Sequence, residues 1–196
     1  MTLHRSDHVE TTHPEIAEVR GAMMTSTAAK SLAVLRVATG FVFLWAFLDK
    51  TFGLNYATPS AKAWINGGSP TNGFLAHVEV GPFQSFFHSI AGSGWANWTF
   101  MLGLLGIGVA LTAGVAMRIA AASGVAMLAL MWFAEFPLAQ HTSTGAPTGS
   151  PNPLTDYHFI YAVVLVVLAA TYAGTTWGLG RRWARLPIVA KHRWAL

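Results

Sequence analysis

The sequence contains no cysteine and few charged residues, and each scarcity removes a class of function. Without cysteine, the chain cannot form a disulfide, run a thiol redox relay, or supply thiolates to zinc or to an ordinary iron–sulfur cluster. Only 10% of its 196 residues are charged and 53% are hydrophobic, whereas an ordinary soluble domain is about 25% charged. A soluble protein this short could not hide so much apolar surface, so the composition indicates a membrane protein.

Four long apolar segments are predicted to span the membrane. The first, residues 32–50, is almost wholly apolar and nearly long enough to cross a hydrocarbon core of about 30 Å. The second and third, 98–117 and 119–136, are joined by a tight turn at Arg118, and the fourth covers 157–177. The sequence therefore predicts an all-α fold, an integral membrane four-helix bundle.

The connecting segments divide the chain into a membrane domain, 31–180, and two tails. Residues 1–30 form a polar tail that contains three histidines, and residues 181–196 form a basic tail. The long loop 51–97 is too polar to span a membrane, but its helical patterns predict short interfacial helices over 72–80 and 82–90.

Positively charged residues predict the orientation. With four spans, both tails and the turn at Arg118 lie on one side, and together with Arg36 they hold ten of the twelve lysines and arginines. Cytoplasmic segments of membrane proteins carry such an excess. Both termini are therefore predicted to be cytoplasmic, with the loop 51–97 outside. The net charge of +4 follows from this pattern and does not predict a nucleic-acid partner.

Small residues and one arginine are predicted to organise the packing. Gly106, Ala110 and Gly114 recur at intervals of four in the second span, a spacing that lets membrane helices approach closely. In the first span, Gly40 shares a helix face with Arg36. We interpret Arg36 as an anchor at the cytoplasmic interface or a partner for backbone carbonyls.

Three parts of the sequence carry a family resemblance: Arg36, Gly40, Phe43, Leu44, Asp49, Lys50 and Phe52 in the first span, the glycine-rich second span, and NPLTDYHFIYAVVLVVLAATYAGTTWGLGRRW over 152–183. On these positions, residues 31–186 resemble the DoxX family of small bacterial membrane proteins. The resemblance implies a location in the bacterial cytoplasmic membrane. The related DoxD chains form one subunit of a thiosulfate:quinone oxidoreductase, which implies a respiratory setting and contact with quinone. The sequence departs from a common family pattern at the outer start of the second span, where Asn97 and Thr99 replace a glutamate.

The candidate catalytic residues are predicted to gather at the outer ends of the spans. Asp49 and Lys50 end the first span, Glu135 ends the third, and Asp156 and His158 begin the fourth. Ionisable groups at membrane depth are costly and usually pair or line a functional cavity. A histidine beside a carboxylate can exchange the protons of a quinol, and Lys50 can stabilise a quinone oxyanion.

A purely structural interpretation of the same residues stays open. Asp156 is also suited to cap a helix N-terminus, Lys50 to snorkel toward water, and Asp49 to pair with Lys50. No metal site is predicted, because the separations of 11, 53 and 17 residues between His77, His88, His141 and His158 match no compact ligand motif.

Two functions of different classes follow. The first is an accessory or quinone-interacting subunit of a membrane oxidoreductase. In that role the chain would need other membrane or peripheral redox subunits and would not catalyse the reaction alone. Its only predicted cofactor is quinone, with none covalently bound. The second is a noncatalytic scaffold or assembly protein in the lipid bilayer. The sequence leaves open whether the chain catalyses anything and whether it forms a homo-oligomer.

Overall fold

The computed structural model describes residues 25–150 and 152–196, with only the backbone of Arg193. The predicted polar tail therefore lies almost wholly outside the described residues. The described chain is all-helical, with 65% helix and no strands. Its α-helices are α1 (Ser26–Phe52), α2 (Asn72–Leu75), α3 (Gln84–Ile90), α4 (Gly94–Ala113), α5 (Met117–Glu135), α6 (Tyr157–Ala170), α7 (Gly180–Trp183) and α8 (Pro187–Lys191). Short 3-10 turns cover Ser60–Lys62, Trp64–Asn66, Ala173–Thr175 and Arg193–Ala195.

Three of these helices, α1, α4 and α5, are long and apolar enough to cross a membrane. At about 1.5 Å per residue, the 20 residues of α4 and the 19 of α5 each extend about 30 Å, close to the thickness of a hydrocarbon core. Their apolar side chains also face outward: Phe41, Leu102 and Leu130 are all more than half exposed. Outward-facing apolar side chains on long helices suit a lipid surrounding.

The helices pack in chain order. α1 packs against α4, α4 against α5, and α5 against α6. The α4–α5 connection consists only of residues 114–116, so Arg118 lies in the first turn of α5 and not in the turn itself. The buried core shared by these helices comprises Phe43, Met101, Leu104, Ile107, Leu111, Met117, Ala120, Ala121, Leu128, Leu165, Leu168 and Ala173.

Glycine allows the closest helix approach, but partly at positions other than those predicted. A Cβ at Gly40 would lie 2.8 Å from the backbone nitrogen of Thr112, and a Cβ at Gly108 would lie 2.8 Å from that of Leu44. These two glycines therefore set the α1–α4 distance. At Gly106 a Cβ would meet nothing within 4 Å. The spacing predicted that a neighbouring helix packs closely at Gly106. In the structure this close contact is made at Gly108, because Gly108 faces α1.

The predicted fourth span is helical only to Ala170. The backbone then turns at Tyr172 and Trp177, whose φ angles of 52° and 51° are left-handed. The segment nevertheless reaches the far end of α5, because a Cβ at Gly174 would lie 3.1 Å from Met117 Cγ at the start of that helix. It thus runs alongside the full length of α5 as a helix followed by an irregular piece.

The helices define two ends, which we call the loop end and the hairpin end. The loop end carries residues 53–93 and 136–156, and the hairpin end carries residues 114–116 together with the chain from 171 to 196. The C-terminal residues are hydrogen-bonded at the hairpin end. The Arg118 amide donates to the backbone oxygen of Leu196 at 2.8 Å, and the Trp183 indole donates to Ala195 O at 2.7 Å.

The two interfacial helices predicted in the long loop are shorter than expected. The helix expected over 72–80 is the single turn α2. In α3, Phe87 is buried against Val78 and Ala134, whereas Phe86 and the N-cap residue Phe83 are about half exposed. The aromatic residues of this segment therefore divide between a small core and the surface.

Candidate functional site

A buried aspartate–histidine pair begins α6. Asp156 is the N-cap residue of the helix, and its Oδ1 accepts the His158 backbone N–H at 2.9 Å. The same oxygen lies 3.0 Å from His158 Nδ1. Each residue is only 1% exposed. The capping role expected for Asp156 is confirmed, but the contact with the imidazole extends beyond what a cap requires.

The end of α5 adds a second carboxylate to this pair. Glu135 Oε2 lies 3.7 Å from His158 Nδ1, and the Glu135 side chain is 34% exposed. Its other oxygen, Oε1, accepts a hydrogen bond from the Tyr157 hydroxyl at 2.9 Å. One imidazole nitrogen therefore faces two carboxylates, one buried and one that reaches the surface.

Two atoms of the buried pair lack hydrogen-bond partners within the described part of the chain. They are Asp156 Oδ2 and His158 Nε2. Buried polar atoms are nearly always satisfied, and an unsatisfied one costs about 1–3 kcal/mol. The pair is therefore incomplete as a purely structural element. Glu135, Asp156 and His158 each offer one ligand atom, all within 4.8 Å of one another.

A cavity of about 300 Å³ adjoins Glu135 at the loop end. Its polar lining includes His77, Glu79 and Thr148 as well as Glu135. Glu135 thus connects this polar space with the buried pair.

Asp49 and Lys50 make their contacts elsewhere at the loop end. Asp49, only 2% exposed, accepts hydrogen bonds from the amides of Tyr56 at 3.3 Å and Ala57 at 3.1 Å. Lys50 Nζ lies 6.0 Å from the ring centroid of Phe100 in α4. The five candidate residues therefore form two groups in the structure, one between α1 and α4 and the other between α5 and α6.

Comparison with known proteins does not bear on the resemblance to the DoxX family. No family model, curated protein or solved structure matches this chain. The resemblance stays a prediction that rests on the residues quoted above.

Arg36 is fully buried at the hairpin end, and its predicted role as a partner of backbone carbonyls is confirmed. Nη1 donates to Leu111 O and to Thr112 O, the latter at 2.8 Å. Nη2 donates to Trp177 O at 3.0 Å and Thr176 O at 3.4 Å. Gly114 gives the guanidinium room, because a Cβ there would lie 3.0 Å from Nη1. The arginine ties α1 to α4 and to the segment after α6.

The remaining loop-end histidines do not join the cluster of Glu135, Asp156 and His158. His88 Nε2 contacts Val78 O at 2.9 Å, and His77 lines the cavity. His141 lies in the loop that precedes α6. Among the described residues, the structure therefore does not assemble the all-histidine set that the spacing had already disfavoured.

Sequence analysis missed two polar contacts. The contact of the Tyr157 hydroxyl with Glu135 was not predicted, although the position of Tyr157 between Asp156 and His158 was a signal that its hydroxyl could enter the cluster. Asn97 was noted only as a departure from a family pattern. In the structure its Oδ1 accepts from Thr71 N–H at 3.0 Å, Thr71 Oγ1 at 2.7 Å and Ser69 Oγ at 3.1 Å. It fastens the long loop to the start of α4.

Proposed function

We propose that this chain is a DoxX-type, four-span protein of the bacterial cytoplasmic membrane that binds a quinone as an accessory subunit of a membrane oxidoreductase. Three apolar helices of spanning length support the membrane assignment. The segment from Tyr157 to Thr175 runs alongside the full length of α5 and supplies the fourth span.

The charge distribution supports a cytoplasmic hairpin end. The basic residues Arg118, Arg181, Arg182, Arg185 and Lys191 belong to that end, whereas the loop end carries Lys50 and Lys62. An excess of Lys and Arg is typical of the cytoplasmic side. Both termini are then cytoplasmic, and the two candidate groups face outside.

The observation that carries the quinone assignment is the environment of Lys50. Its ammonium lies near the Phe100 ring and has no hydrogen bond or ion pair within the described residues. Asp49, which was expected to pair with it, forms no ion pair within 4 Å and acts on the ammonium only through its charge, while its carboxylate accepts hydrogen bonds from loop amides. A cationic donor beside an aromatic ring suits a quinone, whose ring is flat and whose carbonyl oxygens accept hydrogen bonds. An ionisable group at this depth is a functional candidate by default.

A redox-active partner completes the proposal. Reduction of a bound quinone to the quinol takes up two electrons and two protons. This chain has no cysteine and therefore supplies no cysteine-ligated cluster or thiol relay. The electrons come from a subunit with its own redox centre, and this chain holds the quinone within reach of it.

Quinone binding is tested by unfolding full-length protein in nanodiscs with short-chain benzoquinones and naphthoquinones. A ligand present at about 100 times its dissociation constant stabilises the folded state by about 2.7 kcal/mol. We expect stabilisation of the wild type, at least a tenfold weaker affinity in Lys50→Gln, and partial retention in Lys50→Arg. The matched control is Lys62→Gln, which removes an exposed lysine of the same loop end and should behave as wild type.

A mild-detergent pull-down distinguishes this role from the scaffold alternative. The quinone role predicts that Lys50→Gln retains the partner complex but loses quinone-dependent electron transfer. If the variant instead loses assembly, but the complex that remains still transfers electrons, the result supports the scaffold hypothesis. Absence of both a redox partner and quinone-dependent stabilisation contradicts the proposal.

A further inference from the structure

The three ligand atoms of the α5–α6 group lie within 4.8 Å of one another, and two of their separations are close to those around a small tetrahedral metal ion. Zinc binds imidazole nitrogen and carboxylate oxygen at about 2.0–2.2 Å, so neighbouring ligand atoms in a tetrahedron are about 3.3–3.5 Å apart. In the structure, His158 Nδ1 lies 3.0 Å from Asp156 Oδ1 and 3.7 Å from Glu135 Oε2. The two separations bracket the tetrahedral value, so small side-chain movements would complete the geometry.

Charge also favours a cation at this position. The ion pairs that Glu135 and Asp156 make within the described residues are both with His158. Two carboxylates facing one imidazole near membrane depth are costly unless positive charge compensates them. One divalent ion with a neutral imidazole and two carboxylates gives a net charge of zero.

A buried oxygen without a hydrogen-bond partner is the second, independent indication of a ligand. Asp156 Oδ2 has no partner although the residue is 99% buried. The other oxygen, Oδ1, lies 3.0 Å from His158 Nδ1, so Asp156 can bind the ion through Oδ1 and place Oδ2 on the same ion. In this arrangement His158 binds through Nδ1 and carries its proton on Nε2, for which the described residues offer no acceptor.

The surroundings supply an orienting contact and an entry path. Metal-binding carboxylates are usually held by a further hydrogen bond, and the Tyr157 hydroxyl donates one to Glu135 Oε1. Glu135 also lines the polar cavity beside His77 and Glu79. Through this cavity an ion can enter, and water can take a fourth coordination position.

We propose that Glu135, Asp156 and His158 form a binding site for one divalent transition-metal ion, with Zn²⁺ as the preferred occupant. One imidazole and two carboxylates without a thiolate suit Zn²⁺ and, less tightly, Mn²⁺. The site does not include Lys50, on which the proposed quinone binding rests, and it stands independently of that binding. It replaces the expectation of no metal site, which considered only sets made of histidines.

The test measures Zn²⁺ binding to full-length, chelator-treated protein without a histidine tag. The tail histidines His4, His8 and His13 are changed to Gln in the background of every sample, so that they cannot bind the ion. We expect one Zn²⁺ per chain in this background. Asp156→Asn, His158→Gln and Glu135→Gln should each weaken binding by at least tenfold. Bound Co²⁺ should give the strong visible absorption of a tetrahedral site.

Matched controls keep the outcome decisive if a ligand variant folds poorly. Glu79→Gln changes another carboxylate of the same cavity, and His141→Gln changes a histidine outside the cluster; both should bind Zn²⁺ as the background protein does. Tyr157→Phe keeps all three ligands and should weaken binding about tenfold. Lys50→Gln should bind Zn²⁺ normally even where it loses quinone. Absence of stoichiometric Zn²⁺ in the background protein, or equal binding in the background, Asp156→Asn and Tyr157→Phe proteins, would overturn the site.

Discussion

The two ends of the bundle differ in how far the protein itself satisfies their ionisable side chains. At the hairpin end, four backbone carbonyls receive guanidinium hydrogens of Arg36, while Arg36 Nε and the neighbouring Thr112 Oγ1 have no partner within the described residues. At the loop end, the Asp156–His158 pair has an unpartnered atom on each residue. The Lys50 ammonium lies near the Phe100 ring and the charge of Asp49, with no hydrogen bond or ion pair within the described residues. Both ends hold ionisable groups, but the loop end leaves more of them available to a ligand.

This difference separates structural from functional candidates. An ionisable residue in a membrane helix attracts attention because it is costly. Arg36 offsets that cost by joining three segments of the chain, which makes it a structural residue. The loop-end groups make few such contacts, so their cost is better explained by something that binds there.

The largest expected effect comes from removing the Arg36 charge. Arg36→Met removes the guanidinium donor from Thr112 O and Trp177 O, whereas Leu111 O keeps the Gly114 N–H. We expect a loss of roughly 3–6 kcal/mol in the free energy of unfolding from these two hydrogen bonds, since a hydrogen bond to a charged group contributes about 1.5–3 kcal/mol. Reversible unfolding in mixed micelles measures it. Lys30→Met, which removes an exposed cation from the same helix, is the control. Equal stability of the two variants would show that the hairpin end does not depend on Arg36.

The α1–α4 contact gives the next largest effect and a closely matched pair of variants. Gly108→Ala places a methyl group 2.8 Å from the Leu44 backbone nitrogen and should destabilise the protein by about 1–3 kcal/mol through overpacking. Gly106→Ala, two residues earlier, meets open space and should be neutral or stabilising by up to about 1 kcal/mol. Thermal unfolding of both variants compares them. The reverse order would place the helix contact at Gly106.

Asn97 tests how firmly the loop end is fastened to the bundle. Asn97→Ala removes the acceptor for Thr71 and Ser69 and should cost about 1–2 kcal/mol. The effect should be local, with faster proteolysis of residues 54–93 and unchanged protection of α5. Thr99→Ala, an exposed neighbour in α4, should match the wild type. Uniform destabilisation of the whole protein would contradict a local role.

The smallest effect on stability is expected at Tyr157. Tyr157→Phe removes one hydrogen bond to a partly exposed carboxylate and should lower the free energy of unfolding by about 0.5–1.5 kcal/mol. Metal affinity should fall more clearly than stability. A stability loss as large as that of Arg36→Met would mean that the loop-end group is structural as well.

Sequence reasoning reached the all-helical class and the three long helices because continuous apolar runs carry that information locally. It did not reach the end of α6 at Ala170. The left-handed turn at Tyr172 and the irregular chain beyond it depend on packing of Gly174 against Gly114, which are 60 residues apart in the sequence.

The candidate site shows the same limit. The charged residues at the helix ends were visible in the sequence, but their division into two groups depends on which helices pair. Asp49 was expected to pair with Lys50 because they are adjacent. The loop amides of Tyr56 and Ala57 bind Asp49 instead, and no local pattern predicts where that loop folds back.

Amide hydrogen exchange with and without Zn²⁺ tests most directly whether the loop end holds a ligand while the hairpin end is satisfied by the protein itself. The measurement uses the full-length protein with the tail histidines replaced. We predict that Zn²⁺ slows exchange at least tenfold at the start of α6 and the end of α5, and leaves the amides around Arg36 and Gly114 unchanged. Exchange that is unaffected at the loop end, or slowed equally at both ends, would contradict this account.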